Sequence, residues 1–134
     1  MLVYVTVGSR DLAKSQAFYD PVLAVLGYVR LVSVPDEIGY GPPDPAPGTR
    51  KCRFYALLPF NKEPATFGNG VTVALDAPSR AAVDAFHAAG LAAGGTNEGA
   101  PGLRLAFHPN FYSAYVRDPD GNKISAMFEW PVSG

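Results

Sequence analysis

The chain has 134 residues, 17% of them charged, and a formal net charge of −1. A domain of that size buries a substantial core. The near-neutral balance excludes nucleic acid and anionic membrane as partners, since both need a basic surface.

Val3, Val5 and Val7 alternate with Tyr4 and Thr6, the pattern of a strand with its valines on one face. Asp11 is placed to cap a helix whose buried side carries Ala13, Ala17 and Phe18. Asp20-Pro21 predicts a kink or restart in that helix, and Gly27 its end. A second strand is expected over Tyr28–Val34. Residues 35–48, PDEIGYGPPDPAPG, are too rich in Pro and Gly to be regular throughout. They read as a surface loop, with a flap beside a pocket as the alternative. Cys52–Leu58 is another strand and 59–70 a link. Val71–Leu75 then opens a second strand–helix unit, in which Pro78 and Ser79 start the helix and Val83 and Phe86 face the core. After Gly94-Gly95 a strand is expected near Arg104–His108. A hairpin of Tyr112–Arg117 and Lys123–Phe128 follows, around the turn Asp118-Pro119-Asp120-Gly121-Asn122.

Displacing the chain on itself by 68 residues aligns Val3 with Val71, Val5 with Val73, Ala13 with Ala81, Ala17 with Ala85 and Phe18 with Phe86. Leu23, Ala24 and Gly27 likewise meet Leu91, Ala92 and Gly95. Such a repeat points to one unit used twice: a single domain, 1–134, made of modules 1–66 and 67–134. The predicted class is α+β, two tandem βαβββ modules forming an eight-stranded, open, barrel-like mixed sheet with helices outside and a cavity between the halves.

Gly8-Ser9-Arg10-Asp11-Leu12, Ala17-Phe18-Tyr19 and Ala77-Pro78-Ser79-Arg80-Ala81 stand out in this frame, with His108-Pro109-Asn110 and Tyr115-Val116-Arg117-Asp118-Pro119-Asp120-Gly121-Asn122. In these segments the chain resembles the vicinal oxygen chelate superfamily, the glyoxalase/bleomycin resistance/extradiol dioxygenase proteins. The resemblance implies a homodimer, and a divalent metal held by a His in the first strand of each module and a Glu in the last strand. Those positions here are Tyr4, Thr72 and Ser125. Alternation puts Tyr4 with Thr6, Thr72 with Ala74, and Ser125 opposite Ile124 and Ala126, on the pocket side. Neutral hydroxyls are poor ligands for Zn²⁺, Ni²⁺ or Fe²⁺, and a phenol with a pKa of about 10 must first lose its proton. Glu129 lies about 13 Å beyond Ser125 along a strand and cannot replace the missing carboxylate. No cofactor and no divalent metal is therefore expected.

A cavity lining is expected from Tyr4, Tyr40, Phe54, Phe107, Tyr112 and Tyr115, with His108, Asn110, Arg50 and Arg53 as polar contributors. The predicted ligand-binding set is Tyr4, Thr72, Ser125, Phe54, Arg53, His108, Asn110 and Tyr115, and the only catalytic candidates are Tyr4 and His108. His87 reads as a surface residue. The sequence holds no nucleophile elbow. The single cysteine, Cys52, cannot form an internal disulfide, which fits a reducing cytoplasm. MLVYVTVGSRD lacks the basic and apolar segments of a signal peptide, and no stretch of about 18 apolar residues is present, so no membrane partner is expected. The function predicted is metal-independent binding of a small-molecule ligand. The resemblance implies two alternatives. One is a lyase of the lactoylglutathione type, or a dioxygenase-like oxidoreductase, with a non-standard site; Arg50, Arg53, Arg104 and Arg117 are the cations available to a glutathione adduct. The other is a divergent member with no small-molecule role.

Overall fold

In the computed structural model, residues 1–48 and 51–130 are described. The first half runs β1 (Val5–Gly8), α1 (Leu12–Ala24), β2 (Val29–Val34), β3 (Glu37–Gly41) and β4 (Phe54–Leu57). The second runs β5 (Thr72–Asp76), α2 (Arg80–Ala92), β6 (Thr96–Leu103), β7 (Tyr112–Arg117) and β8 (Lys123–Phe128). These are two tandem βαβββ modules, and α2 is α1 displaced by the 68 residues of the sequence repeat.

Both helices start where the sequence places a capping acceptor. The Asp11 carboxylate accepts the backbone N–H groups of Ala13 and Lys14 at 3.0 and 3.4 Å, and the Ser79 hydroxyl accepts that of Ala82 at 3.1 Å. Each satisfies donors that a helix leaves unpaired in its first turn. Each helix is followed by a glycine at positive φ, Gly27 at +88° and Gly94 at +98°, the left-handed step that ends a helix. The restart expected at Pro21 does not occur, because α1 continues through it. Phe18 and Tyr19 before the proline and Val22 and Leu23 after it are all fully buried, so core packing holds both flanks in one helix.

The strands form two four-stranded mixed sheets, β1-β4-β3-β2 and β5-β8-β7-β6. In each, the first strand runs parallel to the last and the other neighbours are antiparallel. Among the described residues no hydrogen-bonded ladder joins the two sheets. The halves meet instead through α1 against α2 and through one apolar core that takes Val7, Phe18, Tyr19, Tyr40 and Phe54 from the first and Val83, Phe86, Val116, Ile124 and Ala126 from the second. A polar seam crosses the same boundary. Tyr19 donates its hydroxyl to Asp118 at 2.6 Å, Arg10 pairs with Asp120 at 3.0 Å, and Asn122 donates to the Gly8 carbonyl at 2.9 Å.

Two sequence expectations fail for reasons visible in the packing. The loop expected over 35–48 contains β3, a central strand with four of its five residues buried. Its glycines are there for close approach: a Cβ on Gly39 would stand 2.8 Å from the Tyr55 ring and 2.9 Å from the Cys52 sulfur, and one on Gly41 would collide with the Lys51 carbonyl. The strand expected at Arg104–His108 is a turn, and β6 lies before it at Thr96–Leu103. A shift of 68 residues would map β3 onto that turn. The modules differ here in connection length: β2 and β3 are joined by Pro35-Asp36 alone, β6 and β7 by residues 104–111. The hairpin of β7 and β8 sits where the turn residues put it, with Gly121 at φ +90°.

Candidate functional site

Because strand side chains alternate, each sheet presents one face to the helices and one open face. On the second sheet the register lines up Ala74, Ser125, Tyr115 and Gly99 in one row across β5, β8, β7 and β6. Gly99 is the small member for a reason: a Cβ there would lie 2.9 Å from the Tyr115 ring. The next row begins with Thr72 and Lys123. The 104–111 connection adds Arg104, Phe107 and Phe111. With Glu98 these residues line a cavity of about 520 Å³. Thr72 also belongs to a neighbouring hollow of about 500 Å³, where residues 1–5, Tyr28 and Arg53 meet Thr72–Asp76 across the facing edges of the two modules.

The cavity combines aromatic faces with charge. Phe107 and Phe111 pack at 4.9 Å between ring centroids. The Tyr115 ring has the Arg104 guanidinium 5.6 Å and the Lys123 ammonium 5.1 Å from its centroid, within cation–π range. Arg104 also donates to the Ala100 carbonyl at 2.7 Å. Glu98 accepts from Arg117 at 2.8 Å, and that bond, reinforced by the charge of Arg117, holds its carboxyl below the usual carboxylate range. Ser125 is 2% exposed and its neighbours Ile124 and Ala126 are fully buried on the helix side.

The residues expected to line the cavity divide between the two faces. Thr72, Ser125, Phe107 and Tyr115 are in its wall, as is Arg104. Tyr4 precedes β1, is 47% exposed, and stacks edge-on against Tyr55 at 5.4 Å. It lines the hollow between the modules with Arg53, and a smaller depression with Thr6, Glu37 and Tyr55. Phe54 and Tyr40 are core residues around Tyr19, not cavity residues. The register explains it: Thr6 pairs with Tyr55, so Phe54 takes the opposite face. Tyr112 is likewise on the helix side, where its hydroxyl donates to Asp84 on α2. That bond, with some desolvation, raises its pKa. His108 is held outside the cavity: its Nδ1 accepts the Asn110 backbone N–H at 3.0 Å, which leaves Nε2–H to donate to Glu129 at 3.0 Å. Asn110 takes part through that backbone N–H and is not in the cavity wall formed by the described residues. Arg117 is occupied by Glu98 and the Gly121 carbonyl, Arg50 lies outside the described residues, and His87 meets Asn97 at the surface. Sequence reasoning missed Glu98, Phe111 and Lys123. Lys123 was findable, being two residues before Ser125 on one strand face.

No family model and no curated protein matches the chain. Among solved structures, a glyoxalase/bleomycin resistance protein from Albidiferax ferrireducens T118 is 43% identical, covering 95% of this chain and 98% of its own, with a TM-score of 0.83. The chain belongs to the glyoxalase/bleomycin resistance protein family. More distant members of the vicinal oxygen chelate superfamily share the fold. A glyoxalase-related enzyme from Fulvimarina pelagi is 21% identical with a TM-score of 0.72, covering 100% of this chain and 93% of its own. A lactoylglutathione lyase from Agrobacterium tumefaciens is 20% identical with a TM-score of 0.60, covering 95% of this chain and 92% of its own.

The metal that the vicinal oxygen chelate resemblance implies does not fit this donor set. Thr72 and Ser125 bring neutral hydroxyls to the wall and Tyr4 a phenol in the adjoining hollow, where divalent transition metals need imidazole or carboxylate. Glu98, the carboxylate that the described residues bring to the wall, is engaged by Arg117. Among the described residues no three His, Cys, Asp or Glu side chains are grouped to hold a metal. None of their helices is long and apolar enough to cross a membrane.

Proposed function

We propose that this member of the glyoxalase/bleomycin resistance protein family binds a small molecule in the cavity of the second sheet without a metal. The observation that carries the reading is the wall around two of the family's three ligand positions: Thr72 and Ser125 offer hydroxyls, and Ala74 between them a methyl, beneath aromatic faces from Phe107, Phe111 and Tyr115. A concave site with apolar walls and a few convergent polar groups is the ordinary form of a small-molecule pocket. The chemistry supported is retention, with hydroxyls orienting the ligand and rings covering it.

Two measurements test this. Calorimetric titration with Zn²⁺, Ni²⁺, Mn²⁺ and Fe²⁺ is expected to show no stoichiometric binding at micromolar concentration. A thermal-shift screen is expected to find compounds that raise the melting temperature through preferential binding to the folded chain. Ala74→Phe, which fills the floor of the cavity, should abolish their effect. Stoichiometric metal binding, or hits unaffected by Ala74→Phe, would overturn the reading.

A further inference from the structure

The chain as a whole is slightly acidic, with 11 Lys and Arg against 12 Asp and Glu. The cavity of the second sheet has the opposite sign. The described residues of its lining include Arg104 and Lys123 against one carboxylate, Glu98, and a third cation, Arg117, already neutralises that one. Among the described residues neither Arg104 nor Lys123 is paired with a carboxylate. Arg104 uses one N–H on the Ala100 carbonyl, which leaves most of its five donors for other acceptors. Lys123 contacts the Tyr115 ring, the same ring that Arg104 faces. Both cations line one cavity beside one aromatic ring, so their fields add there and favour an anion. Phe107 and Phe111 stand in the same wall, and Phe107 is 65% exposed, so an apolar surface waits beside the charge.

We infer that this cavity selects an organic anion with a flat apolar body, an aromatic carboxylate being the simplest form, its carboxylate held by Arg104 and Lys123 and its ring by Phe107 and Phe111. The inference rests on the proposal that the cavity binds a small molecule, and adds the sign and shape of the ligand. Arg104 suits the role because a guanidinium matches both oxygens of a carboxylate, while Lys123 adds a point charge from the floor. Cationic ligands are disfavoured by the same field.

The test is calorimetric titration of the whole chain with three probes of equal shape: 2-naphthoate, 2-naphthamide and 2-naphthylmethylammonium. The naphthoate is expected to bind about tenfold more tightly than the amide, with the ammonium weakest, and its affinity to fall as salt rises. Arg104→Met and Lys123→Met should each weaken naphthoate roughly threefold to tenfold and leave the amide unchanged. Lys123→Arg should restore most of the loss, and Lys14→Met on α1 should have no effect. Equal binding of naphthoate and amide, or tightest binding of the ammonium, overturns the anion inference while leaving the cavity as a binding site. Failure of all three probes at millimolar concentration overturns both.

Discussion

Replacing Tyr19 by Phe takes one donor from a buried carboxylate and leaves the ring in place. Asp118 is 5% exposed and accepts four hydrogen bonds. Tyr19 and the Asn122 side-chain amide reach Oδ2 at 2.6 and 2.8 Å, and the backbone N–H groups of Asp120 and Asn122 both reach Oδ1 at 2.9 Å. The Phe ring keeps the contacts of Tyr19 with Phe18 and Phe54 at 4.8 and 4.9 Å. The cost is therefore that of one bond to a charged acceptor, about 1.5–3 kcal/mol, a large share of the roughly 5–15 kcal/mol that stabilises a domain. Asp118→Asn is worse, because its amide N–H₂ must face either Tyr19 and the Asn122 amide or two backbone donors. With the amide turned toward Tyr19 the phenol can rotate to accept, but the Asn122 contact becomes donor–donor and the other bonds lose their charged acceptor, so the expected loss is about 3–5 kcal/mol. Urea unfolding of the two variants and the double variant measures both losses and their coupling. A Tyr19→Phe cost below about 0.5 kcal/mol, or one equal to that of Asp118→Asn, would refute the reasoning.

Gly95→Ala would set a Cβ 2.6 Å from the Phe18 ring and 2.7 and 2.8 Å from the Arg117 and Gly90 carbonyl oxygens. Backbone oxygens cannot swing aside, so a loss of about 1–3 kcal/mol is expected in thermal or urea unfolding; an unchanged midpoint would show that the strand gives way freely. Ser113 is fully buried, and among the described residues its hydroxyl has no hydrogen-bond partner, so Ser113→Ala should be neutral or stabilise by up to about 1 kcal/mol, and a clear loss would count against this reading. Burial, followed by Asp118, raises the Tyr19 pKa, and burial, followed by the bond to Asp20, raises that of Tyr40. Both phenols favour the protonated form in the folded chain. Their contribution is intact below the unfolded value of about 10 and is lost as pH climbs above it. Unfolding free energy should thus fall from pH 8 to pH 11, more steeply than in the double variant Tyr19→Phe/Tyr40→Phe, and equal slopes would count against the assignment.

Local chemistry made the helices and the last hairpin legible in the sequence. Asp11 and Ser79 are caps, Gly27 and Gly94 are stops, and Asp118-Pro119-Asp120-Gly121-Asn122 is a turn whatever surrounds it. β3 was hidden because Gly39 and Gly41, which look like loop residues, are there so that Tyr55, Cys52 and Lys51 can come close. That is tertiary information. The position of β6 was masked by the repeat itself, whose alignment holds through the helices and fails where the connections change length. At the site, alternation placed Thr72 and Ser125 in one wall. Aromatic character alone says nothing about which face a ring takes, so Phe54, Tyr40 and Tyr112 needed the strand register. His108 needed its partner Glu129, 21 residues away.

The unequal connections divide labour between two copies of one unit. The first copy joins β2 to β3 with Pro35-Asp36 alone, whereas the second joins β6 to β7 with residues 104–111, and from them come Arg104, Phe107 and Phe111. Of these eight positions none is in the buried core. The segment can therefore change length and composition, and with it the upper wall of the cavity, while both helices, every strand and the Asp118 seam stay as they are. A duplicated scaffold has kept one copy as foundation and left the other free to be rewritten at its mouth.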